Sequence, residues 1–146
     1  MNLNELFKLT GKVHVTVTNE RGEVVEQRAA NLVVTTGKNF TASRMVGVAS
    51  NVMSHMAIGE GTNAAVVGDT TLQTELARVA LTAATATTNV VTYTATFGVG
   101  VGTGAVTEAG IFNASSAGTM LCRVVFAVVN KGANDTIAIT WTVTVG

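Results

Sequence analysis

Apolar and polar side chains alternate along much of this chain. Val13, Val15 and Val17 fall on one side of an extended segment, and Lys12, His14, Thr16 and Thr18 on the other. Successive side chains of a strand point to opposite faces, so this stretch predicts a strand buried on one face only. The same period of two sets Tyr93, Ala95 and Phe97 against Thr92, Thr94 and Thr96. It also sets Ile137, Ile139, Trp141, Val143 and Val145 against Thr136, Thr140, Thr142 and Thr144.

Further elements follow from the spacing and the turn residues. Asn19-Glu20-Arg21-Gly22 predicts a turn, with Glu23 to Arg28 returning as the second arm of a hairpin. Asn31 to Thr36 predicts another strand. Lys38 to Val48, carrying Phe40, Ala42, Met45, Val46 and Val48, predicts a helix of about three turns. Ser54 to Ile58 is strand-like and runs into the turn Gly59-Glu60-Gly61-Thr62-Asn63. Asp69 to Leu76 reads as a helical turn or an ordered loop. Five more strands are expected at Val79–Thr82, Asn89–Phe97, Ala105–Asn113, Thr119–Val129 and Thr136–Val145. At the start of the chain, Leu3, Leu6, Phe7 and Leu9 form an apolar cluster around Glu5 and Lys8 that suits a short amphipathic helix or a docking arm. The expected fold is therefore mainly β: an antiparallel, jelly-roll-like β-sandwich over residues 12–146 with one short helix, preceded by an N-terminal arm over residues 1–11.

Composition sharpens this picture in one respect. Thr and Val supply 24 residues each of the 146, and there is no proline. No charged residue occurs between Val79 and Thr107, and none from Thr136 to the last residue. Strand faces that ordinarily carry Lys or Glu toward water carry Thr instead. Soluble monomers usually guard exposed strands with charge, so these faces are expected to be covered by other copies or by a host lattice. The plainer alternative is that the threonine hydroxyls solvate them adequately.

Charge and cysteine content exclude several classes. The net charge is zero, and residues 1–44 hold six basic and four acidic side chains, too small an excess for nucleic-acid binding. No apolar run reaches the 18 residues of a membrane-spanning helix. Cys122 is the only cysteine, which rules out an internal disulfide framework. The first residues lack the basic segment and long apolar run of an export signal, so folding in a host cytoplasm is expected.

Candidate chemistry is sparse. Gly98, Gly100, Gly102 and Gly104 alternate in a run that lacks the third glycine of a dinucleotide loop and the Lys-Ser or Lys-Thr of a phosphate loop, and so predict a turn. His14 lies on the polar face of its strand. Ser54 and His55, as neighbours in a strand, should point apart and form no nucleophile–base pair. His14, His55 and Cys122 have no metal-ligand spacing. Glu20, Glu23 and Glu26 flank a turn as a solvated face rather than a calcium loop. No catalytic residue, metal or cofactor is expected. A carbohydrate-processing enzyme would require two of Glu60, Asp69, Glu75 and Glu108 to converge around a cleft. Glu75 and Arg78 are three apart and pair if that segment is helical. Glu108, beside an apolar strand, needs a cationic partner if buried, either Arg78 or Arg123.

Four segments carry a resemblance: Asn31-Leu32-Val33-Val34 with Gly37, His55-Met56-Ala57-Ile58-Gly59-Glu60-Gly61-Thr62, Asp69-Thr70-Thr71-Leu72-Gln73-Thr74-Glu75-Leu76-Ala77-Arg78, and Thr107-Glu108-Ala109-Gly110-Ile111-Phe112-Asn113. In this order, ending in a Lys-Gly turn and a Thr-rich last strand, the chain resembles small virion structural proteins of tailed bacteriophages. The resemblance implies a capsid decoration (cement) protein on the head surface, with the major capsid protein as partner and a trimeric or dimeric homo-oligomer. Related patterns occur in tail, collar and fibre components, which is the alternative. On the decoration reading, the contacts with the shell are expected from the arm (Leu3, Leu6, Phe7 and Leu9) and from the first hairpin (Lys12, His14, Arg21 and Arg28).

Overall fold

The computed structural model describes residues 8–146. Leu3, Leu6 and Phe7 of the expected arm lie outside the described residues. In chain order the elements are β1 (Leu9–Thr18), β2 (Val24–Val33), α1 (Thr35–Met45), β3 (His55–Gly59), β4 (Glu75–Ala80), β5 (Ala83–Thr87), β6 (Val90–Phe97), β7 (Gly104–Phe112), β8 (Met120–Lys131) and β9 (Thr136–Val145). The mainly β class with a single described helix is as expected. All strand pairs are antiparallel, and they join into one sheet of order β4-β3-β7-β8-β2-β1-β9-β6-β5.

This sheet curls over on itself, and one strand and one short connection make the corners. β2 pairs with β1 from Val24 to Asn31, then with β8 through Leu32 and Val33 only. Between β4 and β5 the chain needs just two residues to change sides. Leu81 N donates to Ser54 O beside β3, and Thr82 N donates to Thr94 O on β6. Strands that switch layers at a bend are a known way to close facing sheets. The halves β4-β3-β7-β8 and β1-β9-β6-β5 thus face each other. Trp141, Phe97, Ile137 and Ile139 from one meet Met56, Ile58, Ile111 and Val124 from the other in a single buried cluster. The alternating residues Val13, Val15 and Val17 point into it.

Several boundaries differ from expectation, each for a local reason. Residues 23–28 and 31–36 belong largely to one strand, because Ala29 and Ala30 continue the pairing opposite Val13 and Lys12. The helix begins three residues early and ends three residues early. Gly37 presses its first turn against β8, where a Cβ would stand 2.0 Å from the Leu121 carbonyl oxygen. Gly47, at φ 68°, stops it: Val48 N bonds to Ser43 O and Gly47 N to Arg44 O, the paired bonds of a Schellman ending. Residues 69–74 are an ordered loop and β4 starts at Glu75, so no helical turn forms there. Leu9, Thr10 and Gly11 belong to β1 rather than to an arm, with Leu9 opposite Val145 and packed on the core. β5 was not expected, since a run of Ala and Thr offers no hydrophobic contrast to read.

Candidate interaction surface and the ion-paired loop

The two halves have outer faces of different character. On the β7 half, strand register lines up Arg78, Ala57, Gly110 and Arg123 in one row, and Glu75, Gly59 and Glu108 in the next. Glu75 and Arg78 would lie on opposite faces of a regular strand. The register shift between Ile58 and Gly59 inserts Leu76 as an extra residue, which returns both to the same face. The bulge thus makes the Glu75–Arg78 pair that a helix had been expected to make, with Arg78 Nη2 2.7 Å from Glu75 Oε1.

Arg78 does more than pair with Glu75. Its Nη1 donates to the carbonyls of Ala114 and Ala117, at 3.0 and 2.9 Å, and its guanidinium lies 3.7 Å from the Phe112 ring centroid. A planar fork that reaches two carbonyls, a carboxylate and a ring face is what arginine offers and lysine does not. It thereby anchors the turn between β7 and β8.

Glu108 is wholly buried, and its cationic partner is Arg123, also buried. Arg123 Nε donates to Glu108 Oε2 at 2.9 Å. The same carboxylate accepts backbone N–H bonds from Gly61 (3.0 Å), Gln73 (3.0 Å) and Thr74 (2.8 Å). Burial alone would raise its pKa. The backbone donors of Thr74 and Gln73, the Arg123 guanidinium and the Gly61 N–H outweigh burial and hold it below the usual glutamate value. Arg123 spends its remaining donors on Asp69 Oδ2 (2.9 Å) and the Asn63 carbonyl (3.0 Å). Asp69 Oδ2 in turn accepts from Val66 N. These bonds tie the whole segment 60–74 down over the sheet.

The glycines of Gly59-Glu60-Gly61 acquire a reason here. A Cβ at either position would meet Glu108 Oε1, at 2.6 Å from Gly59 and 2.5 Å from Gly61. They make room for the carboxylate. Gly110 lies beneath Leu72, which buries itself with Val34, Ala57, Phe112 and Met120. Loop 60–74 therefore covers this face, while α1 packs through Phe40 on the inner cluster.

The outer face of β2-β1-β9-β6-β5 has no such cover. Pairing sets Thr85, Thr92, Thr142 and Lys12 side by side in one row, and Ala83, Thr94, Thr140, His14 and Arg28 in the next. Thr96, Ala138, Thr16 and Glu26 form a third, and Thr87, Val90, Thr144 and Thr10 a fourth. Strands β5, β6 and β9 carry no charged residue. Lys12, His14 and Arg28 gather at one margin around a shallow recess of about 440 Å³ that Thr140 and Thr142 also line. His14 Nε2 is 3.5 Å from Glu26 Oε1, and Arg28 Nη2 is 3.7 Å from Glu26 Oε2. Arg21 stands apart, exposed at the hairpin tip, where Asn19 Oδ1 accepts from Arg21 N and Glu23 N.

Three sequence expectations about chemistry meet the structure here. Ser54 Oγ and His55 Nδ1 are 2.8 Å apart, contrary to expectation: Ser54 precedes β3, so strand alternation does not separate the two. No carboxylate is hydrogen-bonded to His55 among the described residues. Asp69 and Glu108 do converge, yet Arg123 stands between them and backbone donors occupy Glu108, so they present no open carboxylate pair. Burial pushes the Cys122 thiol well above its ordinary pKa, which leaves it a packing residue. Among the described residues no group of three potential metal ligands comes together, and no helix is long and apolar enough to cross a membrane.

Sequence reasoning missed Asp69 as the second anion of Arg123, and it missed β5 with its Thr85 and Thr87. The G-x-G of residues 59–61 was the available signal for a buried carboxylate, but its partner lies 47 residues further along. No family model, no curated protein and no solved structure matches this chain.

Proposed function

We propose that this protein is a capsid decoration (cement) protein of a tailed bacteriophage, acting through non-covalent contact between its open threonine face and neighbouring protein on the head shell. The observation that carries the reading is the unequal treatment of the two sheet faces. One is sealed by a loop held with buried ion pairs, while the other is left open across five strands with charge at one margin only. Five strands of 5 to 10 residues, averaging about eight and spaced about 4.8 Å apart, give a face of roughly 24 by 26 Å. That approaches the roughly 800 Å² per partner of a standard interface. The resemblance of the ordered motifs to phage virion proteins supplies the lattice, and repetition over many identical sites supplies avidity.

Lys12, His14 and Arg28 form the basic margin of this face and are the contacts we assign to an acidic strip on the major capsid protein. Arg21, away from the margin, is outside that set. The test is binding of the purified protein to shells built from the phage's major capsid protein. Thr92→Glu and Thr94→Glu, whose cross-strand partners are all uncharged, are expected to abolish binding while leaving the melting curve in place, because each buries an unpaired charge at the contact. Ser115→Glu, in the turn on the other half, is expected to bind as the parent does. Undiminished binding by both threonine variants overturns the reading. Recovery of a few copies from tails, rather than hundreds from heads, replaces it with the tail, collar or fibre alternative.

A further inference from the structure

The two ends of the curled sheet are finished differently. β4 ends one side with Glu75, Arg78 and a bulge, the usual devices against strand addition. β5 ends the other with Ala83-Ala84-Thr85-Ala86-Thr87, every residue exposed, none charged, and no glycine, proline or bulge. Its flanks, Leu81-Thr82 and Thr88-Asn89, are also uncharged. The strand is held in fixed register on β6 by the two-residue turn at Thr88-Asn89, where Asn89 Nδ2 donates to the Val145 carbonyl. An edge strand of this kind presents a row of free N–H and C=O groups.

We propose that β5 pairs antiparallel with β5 of a second copy, around a two-fold axis passing at Thr85. The strand is nearly symmetric about that residue. The axis sets Ala84 opposite Ala86, Ala83 opposite Thr87, and Thr85 opposite its own counterpart, so only small uncharged side chains meet. A two-fold contact must be self-complementary, and a strand without charge meets that condition at no electrostatic cost. Nothing on β5 selects a partner of opposite sign, which favours a copy of itself over a foreign strand. The pairing also continues the row Thr85, Thr92 and Thr142 into the same row of the partner, so that one threonine face spans both copies. Five residues of pairing bury less than the roughly 1,200 Å² of a stable free interface, so the dimer is weak in dilute solution and grows with concentration. This inference needs no shell and can fail or stand independently of the capsid assignment.

The test uses the full chain alone. Directly opposed residues of antiparallel strands have Cα atoms about 4.5–5.5 Å apart, within disulfide range. Thr85→Cys is expected to cross-link to itself under mild oxidation at high protein concentration, and Thr96→Cys, on the same face but on β6, is not. Cys122 is buried and does not compete. Thr85→Lys is expected to weaken self-association at least tenfold in sedimentation equilibrium without moving the melting curve. A monomeric parent at high concentration, no cross-link through position 85, an equal cross-link through position 96, or unchanged association of T85K each overturns the proposal.

Discussion

Glu108 illustrates how much one side chain organises. Its buried carboxylate gathers three backbone N–H groups and Arg123, so loss of the charge leaves both the donors and the guanidinium short of an acceptor. Breaking a buried pair from one side costs about 3–5 kcal/mol. Glu108→Gln is expected to destabilise at the lower end of that range, about 3 kcal/mol, read as a shift in the urea midpoint at pH 7. The sign of the pH dependence follows from the lowered pKa. The contribution is present above the ordinary glutamate value of 4.5 and is lost as pH falls from there through the folded-state pKa. The gap between parent and E108Q should therefore narrow below pH 4.5, and a gap that widens on acidification contradicts the account. Thr88 is a second residue-scale case. It is β-branched and sits at φ 54°, where glycine is at ease. Thr88→Gly is expected to raise stability by about 1 kcal/mol in the same titration.

Among the elements, β4 shows how a local irregularity creates an interaction. Without the extra residue at Leu76, Glu75 and Arg78 would part to opposite faces, and Arg78 would hold the β7–β8 turn without its carboxylate. Arg78→Lys keeps the charge but loses the fork that reaches Glu75, Ala114 and Ala117 together. It is expected to cost about 1–2 kcal/mol and to speed amide exchange in residues 113–119. Unchanged exchange there would mean that Asn113, whose Oδ1 accepts from Thr119 N, holds the turn alone. The helix carries a related lesson. Its apolar positions extend legibly past Met45, and the turn that ends it is decided by Gly47 in a left-handed conformation.

For the whole molecule, the contrast between a sealed face and an open one separates stability from interaction. Substitutions around Glu108 and Arg123 are expected to act on folding, whereas on the proposed function those at Thr92 or Thr94 are expected to act on association. The N-terminal segment offers a further test at this scale. β1 starts at Leu9, and Lys8 already pairs with Gly146 through the Gly146 N–H at 2.8 Å. Deletion of residues 2–7 removes no residue of a described strand, and on the proposed function it is expected to weaken shell binding several-fold while leaving the near-ultraviolet dichroism of Trp141 unchanged. Full binding by the truncated chain would remove the arm from the contact.

The period-two alternation, the charge-free stretches and the helix α1 were legible because each depends on neighbours in the chain, and strand geometry turns the alternation directly into faces. Trp141 and Val13 could be assigned to a core from their spacing alone. What faces what across long separations was not legible. That Glu108 would choose Arg123 over Arg78, that Asp69 would join them, and that Gly61 would yield its Cβ volume to a carboxylate depend on strand order and on the bulge at Leu76. β5 was hidden because Ala and Thr carry no hydrophobic contrast, and only hydrogen bonding to β6 makes it a strand. Local periodicity is written into covalent geometry, whereas pairing and cover are settled only when distant segments meet and buried polar groups must each find a partner.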